Sequence, residues 1–165
     1  MARIGSGLPD GALVSFGLCG ALVDGLPPGT IVTARRVVHE AGELLWEGSP
    51  RTVAGARAVV LCAAGRIVDA AGERRALAER SGAEVVDLES GRLAATGRLA
   101  GVVRVVSDTP AVPLGPLAGA VTSAGEKDTL AAARAFVVAP RASLRGARAG
   151  RRALAALERA AADLA

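Results

Sequence analysis

The chain has 165 residues, 51% of them hydrophobic and 22% charged, which is enough length and apolar content for one domain with a proper core and excludes a disordered segment. The formal net charge of +4 rests on arginine, since Lys127 is the only lysine. With no tyrosine and only Phe16, Phe136 and Trp46 to stack on bases, a nucleic-acid partner is disfavoured.

The first strand is expected at residues 12–17, and Pro27, Pro28 and Gly29 mark a tight connection to a second at 30–38. His39 follows it and reads as a surface or interface residue. A third strand falls at 58–62 and a charged helix at 72–81 leads into a fourth strand at 84–88. Residues 90–100 read as a helix with Leu93, Ala94, Gly97 and Ala100 on one face and Arg92 and Arg98 turned away, broken by Gly101. The Val-rich run 102–106 reads as a strand covered on both faces. Strand, helix and strand then form a parallel pair with a right-handed crossover. Residues 110–127 are expected to loop over the site, and no internal repeat is evident.

Cys19 and Cys62 lie in or beside apolar strands without Cys-x-x-Cys spacing and read as buried free thiols of a reducing compartment. With one histidine and no metal-ligand spacing, neither a metal nor a cofactor is expected. No apolar run is long enough to span a bilayer and the first residues carry no apolar signal stretch, so a cytoplasmic protein is expected.

Two acids carry most of the functional signal. Glu89, in VVDLESG, and Asp108, in VVRVVSDTP, each follow an apolar strand, so both are expected at the carboxyl edge of the sheet, where ligands bind in α/β folds. Glu89 starts a helix, whose dipole favours negative charge, whereas Asp108 follows a buried strand with no helix N-terminus nearby. The pair suits one charged stabiliser, Glu89, and one proton donor, Asp108. The plainer reading of each alone is a helix-start acid and a polar turn.

The order DLES, helix, VRVVSD resembles the C-terminal half of the nucleoside phosphorylase and nucleosidase superfamily, which includes purine and uridine phosphorylases and methylthioadenosine/S-adenosylhomocysteine nucleosidase. Upstream, LVSFGLCGALVDGLPPGTIV at 13–32 resembles that family's strand and Gly-x-x-Gly turn, and the branch it is most similar to is the hopanoid-associated phosphorylases. The resemblance implies a three-layer α/β/α sandwich with a mostly parallel, mixed central sheet, shortened at its N-terminus, as a single domain over 1–165. It also implies cleavage of the N-glycosidic bond of an adenosine-type nucleoside, adenosylhopane among the candidates, with release of adenine, and a homo-oligomer is expected.

Carried over by position, Asp108 would protonate the departing purine and Ser107 would orient it. Glu89 would accept hydrogen bonds from the ribose hydroxyls and Leu88 would lie under the sugar. Ile67 and Val68 would fall near the base. Gly17 and Gly20, flanking Leu18 and Cys19, would let backbone approach the sugar or nucleophile. Cleavage develops positive charge on the ribose and negative charge on the base, so both acids would act on the transition state. The family's leading strand and loop are expected to be missing, since Met1 lies only a few residues before the strand that matches the Gly-x-x-Gly segment. Asp10 lies in a turn, Leu18 and Ser15 replace phosphate-contacting residues, and Gly65 replaces an acid, so hydrolysis is expected over phosphorolysis. The competing reading is a noncatalytic homologue that binds a nucleoside or serves in assembly.

Residues 141–164 read as a basic amphipathic helix. Arg141, Arg145, Arg148, Arg152 and Arg159 form one stripe, opposite Ala147, Leu154, Leu157, Ala161 and Leu164. The leucines are expected to pack on the domain or a neighbouring subunit while the arginines are solvated; the sharper alternative is attraction to an anionic membrane surface.

Overall fold

The computed structural model describes residues 11–115 and 140–163. The elements are β1 (Leu13–Ala21), β2 (Ile31–His39), β3 (Leu44–Glu47), β4 (Arg57–Ala63), α1 (Ala71–Ser81), β5 (Val85–Asp87), α2 (Ser90–Ala94), β6 (Leu99–Asp108) and α3 (Pro140–Ala162). All but β3 fall on segments expected from the sequence. β3 escapes because its four residues, LLWE, do not alternate. Its signal is the turn before it, where His39 and Glu43 pair and Gly42 takes a φ of 87°.

The strands follow the order β3-β2-β4-β5-β1-β6, and a further β2–β6 pairing closes five of them into a ring. The sheet is mixed, as expected, but it is not the open layer of a three-layer sandwich. β1·β6, β2·β4 and β4·β5 are parallel, whereas β1·β5, β2·β3 and β2·β6 are antiparallel. Closure works because β2 divides one edge between two partners: Ile31–Thr33 pair with β6 and Arg36–Val38 with β3. Trp46 spans the junction, its indole N–H donating to the Leu99 carbonyl at 2.7 Å. Register shifts at Ala34/Arg36 and Cys19/Gly20 supply the local twist that lets strands curl.

The expected β5–helix–β6 crossover is corrected. β1 lies between β5 and β6, antiparallel to the first and parallel to the second, so β5 and β6 run in opposite directions. α2 is also shorter than expected. It ends at Ala94 because Thr96 and Gly97 stop it: the Thr96 hydroxyl donates to the Leu93 carbonyl, and Gly97 has a φ of 67°. Leu99 and Ala100 already belong to β6.

Alternation along the strands divides the core. Cys19, Ala21, Val59, Leu61, Ala63, Val85, Val102 and Val106 form the inner cluster, with Leu93 and Ala94 of α2 against it. Val60, Cys62 and Val86 face outward under Leu77 of α1. Val103 and Val105 face outward under α3.

α3 packs only partly as expected, with Leu157 half-buried against the cluster of Val105, Ala153 and Ala156. Its buried seam is Ala149, Ala153, Ala156 and Ala160, while Leu154 is 47% exposed and Ala161 is exposed. Small side chains let the helix axis lie close to β6, which turns the leucine face sideways. Arg145, Arg148, Arg152 and Arg159 are exposed, yet they flank the seam rather than oppose it, and the Arg152 backbone lies against Gly29 of the β1–β2 connection. The Arg141 side chain, Leu164 and the loop beyond Gly115 lie outside the described residues. An Ala156→Leu substitution should therefore cost about 1–3 kcal/mol by overpacking the seam. Leu154→Ala should stay within about 0.5 kcal/mol, both read from urea denaturation midpoints.

Candidate active site

Arg104 occupies the middle of the valine strand β6 and is 0% exposed. By alternation it shares the inner face with Val102 and Val106. A charge there requires partners. Asp87, at the end of β5, supplies the carboxylate: Arg104 Nε donates to Asp87 Oδ2 at 2.7 Å. Arg104 Nη2 lies 2.5 Å from the Ser15 hydroxyl and 3.2 Å from that of Ser90. Asp87 also accepts from the Ser90 backbone N–H at 3.2 Å and the Ser90 hydroxyl at 2.5 Å. It therefore does the work of the helix-start acid that sequence reading gave to Glu89.

Glu89 makes no capping hydrogen bond. Its side chain is 64% exposed and stands at the rim, its Oε2 3.6 Å from Arg104 Nη2. Among the described residues Arg104 Nη1 is buried with no protein acceptor. It points at Gly17, where a Cβ would lie only 3.1 Å away.

Asp108 belongs to a second buried set. Its carboxylate pairs with the guanidinium of Arg74, which is 0% exposed, and its Oδ1 lies 2.5 Å from the Ser107 hydroxyl. That hydroxyl is also within 3.1 Å of the Cys19 carbonyl. Arg74 comes from α1, which the sequence marks only as a charged helix. Yet Arg74, Leu77 and Ser81 form its buried face. A Cβ at Gly20 would lie 2.8 Å from Asp108 Oδ2 and 3.0 Å from Arg74 Nη1.

Glu89 and Asp108 therefore do not meet at a common sheet edge. They flank one stretch of β1 instead. Gly17 and Gly20 are an odd number of residues apart, so their missing side chains lie on opposite faces of the strand. Each glycine makes room for one charged set. β5 pairs with β1 only at Gly20 and Ala21, so on that side the Gly17–Cys19 backbone has no strand beside it among the described residues. A ligand along an unpaired strand edge can reach side chains from both faces.

The remaining expected positions divide clearly. Leu18 is 39% exposed beside this edge. Val68 is buried in the cluster under α1 and Leu88 packs against the same cluster, so both serve the core; Ile67 is half-buried. Cys19 and Cys62 are free and buried. Burial pushes the Cys19 thiol far up against the opposing pull of Arg104, which leaves it protonated rather than nucleophilic. Burial also raises Cys62 from 9.0 to about 11, with Glu40 adding to the shift.

The residues missed from the sequence are Arg104, Asp87, Arg74, Ser15 and Ser90. The available signal was an arginine inside an otherwise apolar strand, which cannot be buried without an acid nearby.

No family model matches the chain, and no curated protein matches it. A solved structure shares its fold, and others align with it less well. A 5'-methylthioadenosine/S-adenosylhomocysteine nucleosidase from S. pneumoniae, with a transition-state inhibitor, aligns at a TM-score of 0.51 and 15% identity, covering 90% of this chain and 69% of that one. Helicobacter pylori MTAN aligns at 0.47 and 16% identity over 59% of this chain. A Schistosoma mansoni purine nucleoside phosphorylase aligns at 0.44 and 15% over 59%. The chain spans 57% of the Helicobacter protein and 51% of the Schistosoma protein.

Removing one member of a buried pair leaves an uncompensated charge, so Asp87→Ala should destabilise the fold by about 3–5 kcal/mol. Asp87→Ala combined with Arg104→Met should recover much of that loss in chemical denaturation. Cys62 gives a separate pH effect. Between 9.0 and about 11 its thiol ionises in the unfolded chain but not in the folded one. Its contribution to stability is thus present below 9.0 and lost as pH rises toward 11. Cys62→Ala should flatten the fall in melting temperature over that window.

Proposed function

We propose that this chain cleaves the N-glycosidic bond of an adenosine-type nucleoside bound along the edge of β1 between Gly17 and Gly20. The observation that carries the reading is Arg104 Nη1, a buried donor directed at Gly17 without an acceptor among the described residues. Leaving such a donor unmet costs about 1–3 kcal/mol, and an oxygen of a polar ligand would satisfy it. The nucleoside-processing name of the protein that shares this fold supports the same substrate class.

In this reading Glu89 accepts hydrogen bonds from the ribose 2′- and 3′-hydroxyls and opposes the positive charge that develops on the sugar. Arg104 holds Glu89 from below. Asp108 delivers a proton to N7 of the purine through Oδ1, the oxygen beside the Ser107 hydroxyl and away from Arg74. The C1′–N9 bond breaks, its electrons pass into the base, and water adds to C1′ and releases a proton to solvent, which restores the one that Asp108 gave to N7, yielding adenine and the free sugar. Water is favoured over phosphate because Leu18 offers no hydroxyl and the Ser15 hydroxyl is already held between Arg104 and Ser90.

The finer part of the reading is a lipid-linked substrate such as adenosylhopane, met at an anionic membrane surface. Its support is the exposed basic side of α3, where Arg152 and Arg159 stand beside Pro27 and Pro28. Each basic residue near such a surface contributes about 1 kcal/mol.

Purified protein incubated with adenosine, methylthioadenosine and an adenosylated lipid should release free adenine from at least one of them without added phosphate. Asp108→Asn should lower kcat about 10²- to 10⁴-fold, the usual contribution of a general acid. Nucleoside binding by calorimetry without adenine release would identify a noncatalytic binding protein. Vesicle sedimentation should rise with anionic lipid content and collapse in high salt. Salt-insensitive binding, or none, would remove the membrane contact.

A further inference from the structure

Asp69, just before α1, and Arg74 within it stand outside the chemistry assigned above, yet Arg74 is wholly buried and touches Asp108. Its guanidinium serves four acceptors. Nη1 donates to the Ala21 carbonyl at 2.7 Å and Nε to the Asp69 carbonyl at 3.2 Å. Nη2 faces both the Asp108 carboxylate and Asp69 Oδ1, the latter at 3.3 Å. Asp69 in turn accepts from the Leu114 N–H at 2.8 Å through Oδ1 and from the Gly115 N–H at 2.9 Å through Oδ2.

These contacts close a loop. The chain leaving Asp108 turns back through a Thr109–Val112 bridge, and Leu114 and Gly115 then dock on Asp69. Asp69 and Asp108 share one cation, so displacing either carboxylate displaces the other's partner. Arginine suits this because its planar fork can hold several acceptors in fixed directions, which a lysine ammonium cannot do.

We infer that Arg74 and Asp69 are positioning residues that hold the Asp108 carboxylate in place and couple it to the backbone at residues 114–115. The catalytic part of this inference rests on the proposed role of Asp108; the coupling does not. Neither residue touches the substrate in this scheme. Asp69 is the more informative position, because its side chain is 26% exposed and its replacement leaves no isolated buried charge.

The test follows the Asp108 ¹³Cγ resonance in the full-length protein. Asp69→Asn and Arg74→Lys should both shift it, while Glu158→Gln on the exposed side of α3 should not. With the cleavage assay, Asp69→Asn should lower kcat about 10- to 100-fold, the size of effect expected from misplacing a reacting group, and leave KM within about twofold. An Asp108 resonance unmoved in Asp69→Asn overturns the coupling. A moved resonance with unchanged kcat overturns the positioning role and leaves a structural contact. If the unsubstituted protein releases no adenine, the proposed function fails by itself, and the resonance alone decides whether Asp69 and Asp108 are coupled.

Discussion

A guanidinium in the middle of a valine strand organises much of this molecule. Arg104 cannot remain charged on the inner face of β6 unless a carboxylate reaches the same level, and Asp87 does so only because β5 ends there. The same carboxylate accepts from the Ser90 backbone and hydroxyl, which fixes where α2 begins and places Glu89 at the rim. The third requirement is space, and Gly17 provides it by omitting a side chain 3.1 Å from Arg104 Nη1. Ion pair, helix start and glycine are thus parts of one packing solution.

Asp108 and Arg74 repeat that solution on the other face of β1, with Gly20 as the residue that yields space. Two desolvated ion-pair sets in one small domain are poor sources of net stability, because removing charge from water offsets most of the attraction. What they supply is direction. Each carboxylate is held by a rigid donor array anchored in a strand or helix, which is the condition for placing reacting groups accurately. The Gly-x-x-Gly segment thus accommodates the protein's own charges, as well as bordering the position where a ligand would lie.

Much of the secondary structure was legible from periodicity and turn residues: β2, β4 and α1 end within a residue or two of where apolar runs and Gly82 place them. The arrangement of the strands was not. A β5–helix–β6 run in the sequence suggests neighbours, and only the long-range pairing of β1 shows that another strand intervenes. Glu89 and Asp108 stood out as acids after strands, whereas Arg74 and Arg104 were hidden by opposite habits of reading. One looked like a member of a charged helix and the other like an interruption in an apolar run. Burial depends on which elements cover a residue, so local pattern alone could not reveal either. In α3 the arginine stripe was visible, but leucine drew attention away from the alanine seam that meets β6.

Ring closure also leaves a strand behind. Among the described residues β3 joins only β2, and it presents Leu44 and Leu45 to solvent at 52% and 37% exposure. An outer strand that exposes apolar side chains is a natural template for another chain. Its termini carry Glu43 and Glu47, and the latter is held by Arg36 at 2.7 Å. In a second molecule approaching antiparallel and centred on Leu45, Glu43 of each chain would confront Glu47 of the other. Like charges placed opposite each other oppose fibrillar growth, so protection against aggregation falls to two acidic side chains at the margin of the sheet.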